Sequence, residues 1–334
     1  PRLMTSPPRP HVHDIAFSGV SRLKSVVFFV QIGAAVGRRF DPIYYFVRRY
    51  GWRGVLVEPL PDIFAMLRAN YAGHQGLAFE NVAITENNET RAMSRIPVSK
   101  VGSDGVPGWA IGASTLTPEK TRFAAENSPA PLHDALSSAV VTEQVNCTTL
   151  AALLDRHAVE QLDVLQLDTE GYDANILRQL DFTRYRPALI NMEWQWLTDT
   201  EKREVSGLLT NEGYTLYSCE ADLLATAGSI EDFMVAPTPP DTATVPRFFA
   251  GIRGFTSKTP VSGVSGAAQP FPVQVEFSRS RQTVFSVRGH PDLLPFLSLI
   301  DGKRSYGEIA MMLRRPEGVL LEWGREFQSL FVLD

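Results

Sequence analysis

The stretch "LQLDTEGYD" places two carboxylates, Asp168 and Glu170, at the end of the apolar run "DVLQL". In open α/β sheets, ligands bind outside the carboxyl ends of the strands. Buried charges are costly unless paired or put to use, so structural support alone explains this pair poorly. Carboxylates there could take a proton, fix a cationic group, or hold a divalent ion. Glu193 ends the next apolar run, "INMEW", and is expected near the same crevice. Asp173 has the type and position of a cap for the following helix.

A second constellation lies upstream. "FFVQIGAAVG" runs an apolar segment into Gly33 and Gly37, with Ala35 between them. A dinucleotide fingerprint needs G-x-G-x-x-G, whose middle glycine lets the backbone approach a pyrophosphate. That glycine is absent, and so is the Gly-Lys-Ser/Thr of a phosphate-binding loop. The turn favours a ligand without a pyrophosphate, such as S-adenosylmethionine. Glu58 ends "GVLVE", where an acid can accept hydrogen bonds from both ribose hydroxyls of an adenosine ligand. That position suits NAD and S-adenosylmethionine equally.

The elements that must position these residues follow a β-α-β rhythm. "VVFFVQI" (26–32), "GVLVEP" (54–59) and "LAFENVAIT" (77–85) read as buried strands of a parallel, doubly wound sheet. Helices are expected over "PIYYFVRRYG" and 61–72. Residues 86–146 lose regularity, as expected of a lid or substrate-loop insertion. The rhythm resumes with a helix at 148–162, a strand at 163–171, a helix over "YDANILRQL", a strand at 188–194 and a helix closed by Gly213. "YTLYSCE" and "EDFMVAP" are expected to pair antiparallel at one edge. This gives an N-terminal tail (1–24), a main domain (25–236), a Pro/Gly/Ser-rich linker (237–272) and a small module (273–334). The module reads as a hairpin and three helices, a winged-helix-like arrangement.

Composition narrows the function. The net charge of -5 offers no basic excess to neutralise phosphates, which argues against nucleic-acid binding. No apolar run is long enough to span a membrane. The two cysteines, Cys147 and Cys219, form no CxxC pair, which suits a reducing, cytoplasmic setting. Six histidines lie scattered, none in a zinc-ligating spacing near the carboxylates.

The blocks "FVQIGAAVG", "GVLVEPLPDIFAMLRAN", "FENVAIT", "VNCTTLAALL" and "DVLQLDTEGYDANIL", together with "WAIGASTL" in the insertion, resemble the FkbM family of S-adenosylmethionine-dependent methyltransferases in order and spacing. The resemblance covers about residues 26–196. It implies a class I methyltransferase fold, Rossmann-like, with a seven-stranded, mostly parallel sheet whose last strand is antiparallel. It also implies O-methylation of hydroxyls on sugars, natural products or modified peptides. Carried onto this chain, Gln31, Gly33, Ala35 and Gly37 form the turn under the methionine part of the cofactor. Glu58 binds the ribose, and Asn81 and Ala83 lie beside the adenine. Asp168 and Glu170 line the transfer crevice. The family's usual Asn in the glycine block is Ala35 here, followed by Val36. The segment "LLPFLSLIDGKRSYGEIAMML" resembles the small winged-helix domains related to PqqD, which bind peptide leaders or pack on neighbouring domains.

The expected function is therefore an S-adenosylmethionine-dependent O-methyltransferase acting on a hydroxyl or carboxyl of a small-molecule or peptide acceptor. Glu170 and Glu193 are the candidate proton acceptors, with Asp168 positioning cofactor or acceptor. A Mg²⁺ ion is a less favoured alternative; were one used, Asp168, Glu170 and Glu193 would be its ligands. No membrane partner is expected, whereas residues 273–334 could contact a partner protein or a second copy. Two rivals stand beside this reading: a catalytically impaired methyltransferase-like scaffold, and an NAD-dependent oxidoreductase.

Overall fold

The computed structural model describes residues 12–37, 41–120, 129–219 and 221–233. Beyond these it describes 246–248, 254–258, 273–279, 282–289, 296–297, 299–300, 304–326 and 331–333. The chain divides into two compact units, Ile15–Met234 and Pro1–Asp14 with Val235–Asp334.

The first unit is built on strands β1 (Phe28–Ile32), β2 (Arg53–Val57), β3 (Leu77–Glu80), β8 (Val164–Leu167), β9 (Leu189–Glu193), β10 (Thr215–Cys219) and β11 (Asp222–Thr226). They form one sheet in the order β10-β11-β9-β8-β1-β2-β3. The chain crosses over between β1 and β8, so this is the switch point where α/β sheets hold ligands. β1, β2, β3, β8 and β9 are parallel, while β11 runs antiparallel between β9 and β10. This is the class I methyltransferase arrangement. The hairpin expected at the edge exists, but its second strand is "DLLAT" and is inserted beside β9. Ile230–Phe233, which overlaps the start of the expected strand "EDFMVAP", forms a 3-10 turn.

Apolar residues on both sides of each central strand explain why it is buried. Val30, Ile32, Val55, Val57, Leu165, Leu167, Ile190 and Met192 share a core with α5 (Leu150–Arg156), α6 (Asp173–Leu177) and α7 (Asp199–Asn211). Thr149 caps α5 through Ala152 N–H, and Thr198 and Glu201 form a reciprocal capping box on α7. On the other face, Phe29 lies against Trp52, which stacks with Phe17 of α1 (Val12–Leu23) at 6.1 Å between ring centres. Ala16, Phe17 and Val20 are buried. Each large apolar side chain so buried contributes roughly 1.5–3 kcal/mol. That burial holds residues 15–23 on the sheet, where a tail to residue 24 was expected.

The segment 86–146 is more regular than its composition suggests. β4 (Ala83–Ile84), β5 (Thr90–Arg95), β6 (Ser114–Thr115) and β7 (Val141–Thr148) form a second sheet in the order β4-β7-β5-β6. α4 (Ala130–Ala139) packs Leu136 and Ala139 against Ile96, Val106 and Ala110. The strand expected over 77–85 is thus two strands in two sheets, and the helix expected over 148–162 stops at Arg156. Ala83, Met93, Val145 and Cys147 of this sheet pack with Val36, Leu60 and Ile63 beside the main sheet. Arg95, itself buried, forks onto Asp62 of α3 (Pro61–Asn70) at 2.7 and 2.8 Å and onto Glu143 at 2.7 Å.

In the second unit, β13 (Gly254–Lys258), β14 (Val273–Arg279) and β15 (Gln282–Gly289) form an antiparallel sheet. β12 (Pro246–Phe248) pairs with β16 (Phe331–Leu333), and α8 (Tyr306–Leu313) and α9 (Glu317–Glu326) are helical. Two strands therefore come from the span 237–272, where a linker was expected. The helix expected at 290–302 lies mostly outside the described residues. Among the described residues, no helix is long and apolar enough to cross a membrane.

Candidate active site

At the carboxyl edge of β1, Gly33 opens the turn with φ +81°. A Cβ there would fall 1.8 Å from the carbonyl oxygen of Asp168, so only glycine lets β1 and β8 close together at this point. The amides of this turn are already committed. Gly33 and Ala34 N–H both donate to Val57 O at 3.0 Å, and Gly37 N–H donates to Ala34 O at 2.9 Å. Ala35 N–H donates to the Glu58 carboxylate at 3.1 Å. A pyrophosphate would need such donors free, so the turn is no phosphate cradle.

Glu58 is buried and is held at two points, because its other oxygen accepts Leu60 N–H at 2.9 Å. Burial pushes its carboxyl up to about 7, against the pull of those two N–H bonds and of the Arg95 charge. Each carboxylate oxygen keeps lone-pair capacity for a hydroxyl donor. Asn81 braces this corner by donating to Glu58 O and Pro59 O, both at 2.9 Å.

Asp168 follows β8 directly across from Gly33. Its carboxyl is raised well above the usual carboxylate range, first by the protein packed around it, then by the charges of Glu193, Glu170, Asp173 and Asp222. Yet the residue is exposed to solvent. The two facts agree if its open side is the pocket it lines, so a ligand filling that pocket would displace the remaining water.

The turn after Asp168 is strained and heavily tied. Glu170 takes the left-handed conformation at φ +52°, followed by Gly171 at +102°. The buried Asp173 carboxylate accepts Thr169 and Gly171 N–H, each at 3.2 Å. Asp173 therefore pins the turn before it, where a cap for the helix after it was expected. Burial and the Glu193 charge raise its carboxyl to about 7. From the insertion, Thr115 donates its hydroxyl to Glu170 O at 2.6 Å.

The pocket between these turns holds about 470 Å³ of empty space, part of it open to solvent. Of the residues singled out in the sequence, Gly33, Ala35, Glu58, Ala83 and Asp168 line it. Gln31, Gly37, Asn81, Glu170 and Glu193 are not in its lining. Gln31 is buried and donates to Asp41 at 3.1 Å. Gly37 serves packing: a Cβ would lie 2.3 Å from Leu67 and 2.5 Å from Tyr71. Glu193 is buried at the end of β9, accepts from Gln195, and acts on Asp168 through its charge. Among the described residues, no three His, Cys, Asp or Glu side chains form a metal-holding group, so Asp168, Glu170 and Glu193 make no such set.

Residues that the sequence did not single out complete the wall. Pro59, Val82, Ile84, Met93 and Leu116 are apolar, and Met93, Gly112, Ser114 and Leu116 belong to the insertion. Tyr172 adds an aromatic side, its hydroxyl held by Glu86 and by Arg91. A carboxylate at the end of β2, to accept from ribose hydroxyls, beside an apolar slot for the purine is what an adenosine group needs. The residues present therefore fit S-adenosylmethionine.

The family model described as "Methyltransferase FkbM domain" matches residues 31–216, more than half of the chain. No curated protein matches. Similar solved structures include the N-terminal domain of human METTL16, at 9% identity and TM-score 0.34, covering 65% of this chain and 67% of that one. A human methyltransferase 10 domain containing protein aligns at 10% and 0.31, covering 68% and 86%. The precorrin-6y C5,15-methyltransferase of Geobacter metallireducens GS-15 aligns at 11% and 0.31, covering 67% and 92%.

Proposed function

The chain belongs to the FkbM methyltransferase domain family, and on that premise we propose that it methylates oxygen, at a hydroxyl or carboxyl of a natural product, sugar or modified peptide. The family makes it an S-adenosylmethionine-dependent methyltransferase. Bound S-adenosylmethionine supplies a methyl group on a sulfonium, already activated for transfer.

The observation that carries the oxygen assignment is Asp168: a carboxylate on the pocket wall with proton affinity raised by its surroundings. A hydroxyl acceptor must lose its proton as it attacks, and a carboxylate on the pocket wall, of higher proton affinity than an ordinary one, is placed to take it. Glu170 and Glu193 do not line the pocket and act on Asp168 as neighbouring charges. Asp168 therefore takes the acceptor proton. Glu58 would hold the ribose hydroxyls, and the wall of Pro59, Val82, Ala83, Ile84, Met93 and Leu116 would exclude water from the purine. The Gly33–Gly37 turn closes the floor, and the insertion shapes the acceptor side. Residues 273–334, where Met311 and Met312 of α8 are exposed, would serve a partner protein or a second copy, in a cytoplasmic setting.

Incubation with methyl-labelled S-adenosylmethionine and a panel of hydroxylated and carboxylated acceptors tests this. Label in an ether or ester linkage, lost in Asp168→Asn with cofactor binding retained, supports the proposal. Label on carbon or nitrogen overturns it. Failure to bind S-adenosylmethionine or NAD would point to the scaffold reading instead.

A further inference from the structure

Thr115 is fully buried, in a segment whose flanking residues, Ser114 and Leu116, both line the pocket. Its hydroxyl donates to Glu170 O at 2.6 Å and accepts Thr117 N–H at 2.9 Å. Glu170 holds φ +52°, a conformation that is strained for a non-glycine residue and persists only where the surroundings over-determine it. Those surroundings have two parts. Asp173 fixes the amides of Thr169 and Gly171 from the helix side. Thr115 fixes the carbonyl between them from the insertion side.

We propose that Thr115 is a positioning residue for Asp168: its hydrogen bond to the Glu170 carbonyl transmits the seating of the insertion to the turn that carries the Asp168 carboxylate. Ligand contact with Ser114 and Leu116 and the aim of Asp168 are thereby linked through Thr115, whose bond to the Glu170 carbonyl is the short one; the Thr117 hydroxyl reaches the same carbonyl only at 3.5 Å. The role in transfer rests on the methyltransferase reading above; the hydrogen-bond linkage does not.

The variants Thr115→Val, which keeps shape and loses the donor, and Thr115→Ser, which keeps the donor, separate this from simple packing. In hydrogen exchange on the full chain, without ligand, T115V should speed exchange of the amides in 168–172 about tenfold or more, with β8 and β9 unchanged, and T115S should restore protection. Calorimetry with S-adenosylhomocysteine across pH 5–9 gives the functional readout. Glu58 lines the same pocket and its carboxyl is raised to about 7, so the pH profile of affinity carries its contribution too. The remaining component, that of Asp168, should be lost in Asp168→Asn, moved in T115V and unchanged in T115S. Wild-type exchange in T115V, or a loss of protection spread evenly over the domain, overturns the linkage. An Asp168 component left unmoved in T115V overturns the positioning role. Absence of S-adenosylhomocysteine binding in the wild type would sink the cofactor reading and the role in transfer, while the exchange result still decides the linkage.

Discussion

The backbone amide of Ala35 and the side chain of Glu58 are joined by a 3.1 Å hydrogen bond. It ties the turn after β1 to the end of β2, the two elements between which an adenosine group must lie. Ala35 makes this bond from the left-handed region, at φ +44°. The family's usual Asn tolerates that conformation far better than Ala. Ala35→Gly should relieve the strain and raise stability by up to about 1 kcal/mol, part of the gain being offset by unfolded-state entropy. The β-branched Ala35→Val should lower it by about 2 kcal/mol or more. Denaturant midpoints of the three proteins decide the matter; a stabilised valine variant would contradict the strain argument.

Gly33 and Gly51 both have positive φ but should respond differently. A Cβ on Gly33 meets the Asp168 backbone at 1.8 Å, whereas one on Gly51, the cap of α2 (Tyr44–Tyr50), meets nothing within 4 Å. Gly51→Ala should cost only the left-handed penalty, about 1 kcal/mol. Gly33→Ala must also part β1 from β8, and should cost several times more and abolish cofactor binding. Equal melting temperatures for the two variants would contradict this difference.

Stability should fall as pH rises from about 5 to 7. The Glu58 carboxyl rises from its usual 4.5 to about 7 on folding, and Asp173 rises from 3.8 to about 7. The folded state therefore binds these protons more tightly than the unfolded one. Below the unfolded values both states are protonated and nothing is lost; above 7 both are ionised and the penalty is complete. For Glu58 alone the window corresponds to roughly 3 kcal/mol. Urea midpoints at pH 5, 6 and 7 should decline, and Glu58→Gln should flatten the decline. A midpoint that rises over this range would contradict the assignment.

Arg95 joins the insertion to α3, with its side chain 5% exposed while Asp62 and Glu143 keep 49% and 35%. Arg95→Met leaves those carboxylates in reach of water, so it should cost about 1–3 kcal/mol rather than the larger penalty of stranding a buried charge. It should loosen the second sheet first. Limited proteolysis that cuts 86–146 of the variant no faster than the wild type would contradict this anchoring.

The central strands were legible because each is a short, mostly apolar run, broken in β1, β8 and β9 by the single polar residues Gln31, Gln166 and Asn191, and that fixed the parallel sheet and the acids at its edge. β7 was not legible: in "VTEQVNCT" the first four residues are exposed or half-exposed, so no apolar run marks it. Helix α1 did carry a signal, Ala16, Phe17 and Val20 on one face, hidden behind the proline-rich start. At the site, Glu58 and Asp168 could be found from strand-end position. Gly37, Asn81, Asp173 and Thr115 could not be placed, because their roles are contacts with residues distant in sequence or with backbone atoms, and residue type does not encode these. Tyr172 and Met93 belong to the pocket for the same tertiary reason.

The most direct test of the cofactor site is calorimetric titration of the full chain with S-adenosylmethionine and with NAD, in the wild type and in Glu58→Ala. The account predicts one equivalent of S-adenosylmethionine bound, affinity reduced at least tenfold in the variant, and no NAD binding. Binding of NAD in preference to S-adenosylmethionine, or S-adenosylmethionine affinity indifferent to Glu58, would contradict it.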